Sequence, residues 1–95
     1  MPGMSTIVLM SQAVDFIEDH LKQAITVADM AEAVSYSLYY FCRVFSQTTR
    51  HTPYDYLMRR RLSEAARELL ESEKLILDVA LDYQFNNPET FSRAF

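Results

Sequence analysis

An all-α fold is predicted for this 95-residue chain, with one short two-helix unit used twice, on either side of a long helix. Three observations lead there. The chain is 49% hydrophobic with only 1 Gly and 3 Pro, and it holds few β-branched runs, the composition of a folded helical protein. A five-residue signature, Phe-x-Arg-x-Phe, occurs at residues 41–45 and again fifty positions on, at 91–95. Each copy is preceded by the same residues: Asp-x-Ala (Asp29 and Ala31, Asp78 and Ala80), an aromatic five after the Ala (Tyr36, Phe85), and a helix starter four before the first Phe (Ser37, Asn87). The second copy has one residue inserted between aromatic and starter. A repeat of that size is one supersecondary unit used twice.

The elements follow in order. A first helix is expected over 5–22, where Ile7, Met10, Val14, Ile17 and Leu21 form one apolar stripe at three- and four-residue spacing. His20 falls near its end, where a cation suits the helix dipole. Thr26 is a good N-cap, with Asp29 three residues on, for a second helix over 27–34 that turns Met30, Ala31 and Val34 inward. Ser37 caps a third helix reaching about Thr48. Thr at 52, Pro at 53 and Asp at 55 mark the start of a long fourth helix, 53–72. Its stripe reads Leu57, Met58, Arg61 with Leu62, Ala65, Ala66, Leu69 and Leu70; Arg61 sits close enough to the stripe to be a snorkelling support residue. A fifth helix spans 76–83. Asn87 and Pro88 start a sixth, which the chain leaves after two turns at Phe95. An amphipathic helix ending on an apolar anchor is read as a boundary with more protein beyond it.

Charge excludes little until it is divided. The net charge is −4, but residues 1–35 hold one basic and five acidic residues, 36–67 hold six Arg and two acids, and 68–95 hold two basic and six acidic residues. A basic centre can face a polyanion despite acidic ends, because screening cuts distant charges off at roughly 8 Å; a solvated helix face reads equally well from charge alone. Cys42 is the one cysteine, so no internal disulfide forms and a reducing cytoplasm suits the chain. No apolar run approaches the roughly 20 residues of a membrane span. His20 and His51 lack ligand-spaced partners, no Gly-rich phosphate loop exists, and no cofactor, metal site or catalytic residue is expected.

The repeat turns into chemistry through geometry. At roughly 100° per residue, Phe41 and Phe45 share a helix face and Arg43 points nearly opposite; Phe91, Phe95 and Arg93 repeat this. Each copy is therefore a helix, a tight turn and an outward helix that buries a Phe pair and projects an Arg, the helix-turn-helix arrangement. Such a helix fits the DNA major groove, where Arg reaches guanine O6 and N7. The first outward face reads Tyr39, Cys42, Arg43 and Gln47. Tyr39 can stack on sugar or touch a thymine methyl; Gln47 and Thr48 can reach phosphate. Cys42 reads more simply as a small residue without special chemistry. On the second face Glu89, Ser92 and Arg93 lie together. Glu89 can accept from cytosine N4, or serve only as a first-turn acid or a partner four residues before Arg93. Arg59 and Arg60 on the long helix are candidate phosphate contacts, and Ser37, Asn87 and Thr90 complete that set. The spacer is about 27 Å long at 1.5 Å per residue, close to the roughly 34 Å between successive major-groove faces.

The chain resembles the AraC/XylS family of bacterial transcription regulators. The resemblance is carried by residues 31–45 (AEAVSYSLYYFCRVF), 52–69 (TPYDYLMRRRLSEAAREL) and 76–95 (ILDVALDYQFNNPETFSRAF), the last being the most specific. It implies two homeodomain-like helix-turn-helix units joined by a linker helix: a first subdomain at 1–52, the linker at 53–72 and a second subdomain at 73–95 that stops before the family's seventh helix. It places base-reading positions on Tyr39, Cys42, Arg43, Glu89, Ser92 and Arg93. It implies a cytoplasmic activator of transcription in the bacterial nucleoid, with double-stranded DNA and RNA polymerase as partners and an effector-binding or dimerising domain C-terminal to this segment. Ser35, Arg50 and Gln84 stand where the family usually has Gly; if φ is positive there, each costs about 1 kcal/mol. The alternative is a helical protein-interaction module that meets its partner through the acidic ends, Tyr39 and Tyr40.

Overall fold

Five helices make up residues 2–86, the part of the chain described by a computed structural model, with side chains from residue 6 onward. They are α1 (Pro2–Asp19), α2 (Val27–Ala33), α3 (Leu38–Thr49), α4 (Pro53–Glu71) and α5 (Ile76–Asp82). α1 packs on α2 and α3, α2 on α3, α3 on α4, and α4 on α5. The expected sixth helix, with Asn87, Glu89, Thr90, Phe91, Ser92, Arg93 and Phe95, lies outside the described residues.

Each start signal of the first three repeat-flanking helices is met by a hydrogen bond. Thr26 Oγ1 accepts from the Asp29 N–H at 3.1 Å, and the Asp29 carboxylate accepts from the Thr26 N–H at 2.8 Å. This reciprocal box satisfies two of the donors a helix N-terminus leaves orphaned. Ser37 Oγ accepts from the Tyr40 N–H at 3.2 Å, and Thr52 Oγ1 from the Asp55 N–H at 3.1 Å, with Pro53 in the first turn of α4. α5 differs: Leu75 occupies its N-cap and supplies no side-chain bond.

The apolar faces meet in one core. Phe41 and Phe45 are fully buried with ring centroids 5.4 Å apart, and Tyr56 of α4 meets Phe45 edge-on at 5.6 Å. Ile17 and Met30 pack around them, while Val79, Ala80, Tyr83 and Phe85 bring the second repeat into the same cluster. Each of the large apolar side chains among them contributes roughly 1.5–3 kcal/mol by leaving water.

The repeat's Ala-to-aromatic spacing is explained by the turns. After α2, the Tyr36 N–H bonds Ala31 O at 3.0 Å and the Ser35 N–H bonds Glu32 O at 3.0 Å. After α5, the Phe85 N–H bonds Ala80 O at 2.9 Å and the Gln84 N–H bonds Leu81 O at 3.1 Å. These paired bonds are the Schellman helix ending, which needs a left-handed residue between Ala and aromatic. Ser35 and Gln84 supply it at φ 60° and 68°, and Arg50 ends α3 at φ 66°. All three expected glycine-like positions are left-handed without glycine.

Four expectations change. α1 begins at Pro2 rather than residue 5, since proline in a first turn forfeits only an N–H that had no partner. It ends at Asp19 rather than 22, because the His20 N–H turns back to Ile17 O in a tightened turn and His20 Nδ1–H donates to Phe16 O at 2.6 Å. Within α1 the core stripe is Met10, Ala13 and Ile17; Ile7 lies N-terminal to it and is 66% exposed. Leu70 is 87% exposed instead of packed, because five residues from buried Ala65 turn it roughly 140° away.

Candidate nucleic-acid interface

α3 has a buried face and a wet face. Opposite Phe41 and Phe45, Tyr39 stands 77% exposed, with Arg43 and Gln47 exposed one and two turns further along. Residues four apart on a helix differ by roughly 40°, so these three form a stripe. Cys42 is half-buried on its flank. Thr48 is exposed but lies roughly 140° around the helix from Arg43, on the side of Val44 and Phe41 near the helix end, so it does not join the stripe. Ser37 opens the helix with its oxygen engaged as the cap, its hydroxyl proton remaining available. Tyr40 leans on Tyr36 of the preceding turn, ring centroids 4.8 Å apart, which ties the start of α3 to the end of the turn.

The six arginines of residues 36–67 divide sharply by partner. Arg61 is buried, donating from Nε to Leu21 O at 2.9 Å and from Nη2 to Gln23 O at 2.6 Å. It ties down the turn that follows α1 rather than snorkelling to solvent. Burial lowers its pKa, though a guanidinium in a protein stays charged. Arg60 grips Glu18 of α1 with both prongs of its fork at 2.9 Å, and that bond raises its pKa. Arg59 pairs with Asp55 at 2.8 Å, and Arg67 with Glu64 at 2.9 Å. The Arg59 bond is the main reason that the Asp55 carboxyl titrates low; His51 Nδ1, 3.0 Å away, adds to it. Among the described residues, Arg43 and Arg50 form no ion pair. One lies in the middle of α3 and the other at its C-cap.

The structure thus brings Tyr39, Arg43 and Gln47 together and sets Arg59 and Arg60 into pairs with acids on α4 and α1. Arg50 was not among the residues singled out for DNA contact. Its signal was its left-handed position, which removes it from the helical periodicity that picks out the other exposed residues. Among the described residues no group of three His, Cys, Asp or Glu side chains could hold a metal ion. Among the described residues no helix is long and apolar enough to cross a membrane.

A family model described as "Helix-turn-helix domain" matches residues 30–95, more than half of the chain and both copies of the repeat. The regulatory protein SoxS of Escherichia coli K12 is 35% identical over 87 residues, 92% of this chain and 81% of that protein. The chain belongs to the AraC/XylS family. Other members are similar over most of its length. The transposon Tn10 TetD protein of Escherichia coli is 40% identical over 80 residues. The right origin-binding protein of Escherichia coli K12 is 38% identical over 80 residues. The chain spans 58% of the length of the first of these and 28% of the second. It is a helix-turn-helix DNA-binding domain of the AraC/XylS family, and nothing favours the reading as a protein-interaction module.

Proposed function

We propose that this domain reads two adjacent major grooves of bacterial DNA, with α3 as one reading helix and the helix expected from Pro88 as the other, and that it does so within a cytoplasmic transcription regulator. Residues 1–52 and 73–95 are the two reading units in this proposal, and 53–72 is the spacer between them. The observation that carries it is the sorting of the arginines. Arg60 and Arg61 tie α4 to α1 and to the turn after it, Arg59 and Arg67 pair within α4, and the two exposed arginines of this segment without an ion pair, Arg43 and Arg50, lie on or at the end of the helix whose opposite face is the Phe41–Phe45 core. Arg43 takes a base edge, Tyr39 and Cys42 flank it, and Gln47 with Arg50 reaches phosphate. Arg59 offers a phosphate contact only by sharing its guanidinium with Asp55, and Arg60 only by loosening Glu18. Glu89, Ser92 and Arg93 take the corresponding base-reading roles in the second unit, with Asn87 and Thr90 on phosphate. RNA polymerase is the expected protein partner, and no catalytic step is assigned.

The test is selection of preferred duplexes from a random pool by the chain and by Arg43→Ala. The substitution is expected to cost about 1–3 kcal/mol on the selected site and to erase preference at one base pair. Unchanged preference with a helical signal equal to that of the parent would overturn the assignment of α3.

A further inference from the structure

The turn between α1 and α2 is where the two repeats meet. Three consecutive residues there are tied to different parts of the molecule. Leu21 O and Gln23 O accept from Arg61 of α4, and Lys22 O, between them, accepts from the Gln84 side chain at 2.9 Å. Gln84 is the left-handed residue of the second repeat's turn. The Lys22 ammonium stands 5.2 Å from the centre of the Tyr83 ring and 3.4 Å from Glu68. Lys74 then bridges Glu68 at 2.8 Å and Asp82 of α5 at 3.7 Å. Ser35, in the same position of the first repeat, makes no side-chain hydrogen bond among the described residues. A left-handed residue with a β-carbon is disfavoured against glycine at both turns, but only Gln84 gains a bond across the molecule in exchange.

We propose that Gln84 is a positioning residue that sets the orientation of the second helix-turn-helix unit relative to the first, and through it the spacing of the DNA elements the domain accepts. The connection from α4 fixes the start of α5 only weakly, because α5 enters without a side-chain cap and through exposed residues 73–75, so its direction depends on what holds its far end. The Gln84 amide fixes the far end of α5 to the α1–α2 turn, whose carbonyls Arg61 has already locked in place. The clamp itself stands on these contacts; only its consequence for DNA spacing rests on the two-groove reading.

The decisive measurement is residual dipolar couplings on the 95-residue chain without DNA. In the parent, amides of α5 and of α1–α3 are expected to fit one alignment tensor. Gln84→Gly relieves the left-handed cost and removes the donor; Gln84→Met keeps that cost and removes the donor. Both are expected to release α5 from the common tensor, and Gln84→Arg, which restores an N–H donor of sufficient reach, to bring it back. Should Gln84→Met lose α5 altogether, Gln84→Gly decides. A single tensor shared by the parent and Gln84→Gly would overturn the proposal. In a second arm, duplexes with the two elements moved apart by one base pair are titrated. The parent is expected to discriminate against them, and Gln84→Gly to lose about three- to tenfold of that discrimination, the worth of one hydrogen bond. If the tensors separate but neither protein responds to spacing, the clamp stands and the two-groove reading falls.

Discussion

The turns that close α2 and α5 carry the same pair of hydrogen bonds at nearly the same lengths, yet the helices leading into them are anchored by different means. α2 is held at its start by the Thr26–Asp29 box and needs little from its terminal aromatic: Tyr36 stays half-exposed and leans on Tyr40. α5 has no capping side chain and is held at its end, where Phe85 is buried in the common core and Gln84 and Tyr83 reach the α1–α2 turn. One backbone motif thus accommodates two ways of fixing a short helix, locally by caps or remotely by packing. The first makes a unit that organises itself; the second makes a unit that depends on its neighbour.

The contrast breaks most visibly at the aromatics. Phe85→Ala is expected to cost about 3–5 kcal/mol and to expose the α5 amides to exchange first, whereas Tyr36→Ala should cost about 1 kcal/mol. Hydrogen exchange by NMR separates the two; equal losses would remove the distinction. Next in size is Arg61→Met, which keeps the stem but strands Leu21 O and Gln23 O. A loss of about 2–4 kcal/mol is expected in urea unfolding, with protection falling in both α1 and α5. If only α1 responded, the shared turn would not couple the repeats. Smaller still is an exchange of anchors. Thr26→Ala is expected to cost about 1 kcal/mol, while Leu75→Thr, giving α5 the missing cap, should gain about half as much. Thermal midpoints check both signs.

The smallest effect is one of pH. The hydrogen bond from Lys74 is the main cause that holds the Glu68 carboxyl down at about 2 from an ordinary 4.5, with Tyr83 and Lys22 assisting. A depressed acid pKa contributes stability that is complete above the ordinary value and is lost as pH falls towards the folded one. Between pH 4.5 and 2, amide exchange in α5 should therefore accelerate more than in the middle of α3, which lies away from both Glu68 and the Asp55–His51 pair; equal acceleration in both would count against the remote anchoring of α5. Tyr83, raised to about 12 mainly by burial and then by Glu68, remains a phenol throughout that range.

Local chemistry made much of this legible in the sequence. Thr26, Ser37, Thr52 and Pro53 each state a helix start within four residues, and the Phe41–Phe45 spacing states which face goes inward. The left-handed positions were visible through family resemblance at Ser35, Arg50 and Gln84. What stayed hidden is long-range. Nothing near Arg60 announces Glu18, 42 residues away, and nothing near Gln84 announces Lys22, 62 residues away. Periodicity also marks a face without marking where it stops being covered, which is why Ile7 and Leu70 counted as core by spacing and are exposed in the fold. Ala13, fully buried, carried too little apolar surface to register in the stripe.

The pairing of arginines has a thermodynamic consequence for a protein that must find one site among many. Binding to a duplex draws its salt dependence from counterions released as cations neutralise phosphates, about 0.9 per contact. In the segment 36–67 only Arg43 and Arg50 can release them without first surrendering a partner in the same molecule, since Arg61 is buried on two carbonyls and the other three are paired with acids. The domain should therefore show a shallow salt slope for its size and hold weakly to arbitrary sequence. Its dwell time on the wrong DNA is kept short by the carboxylates that already occupy its arginines.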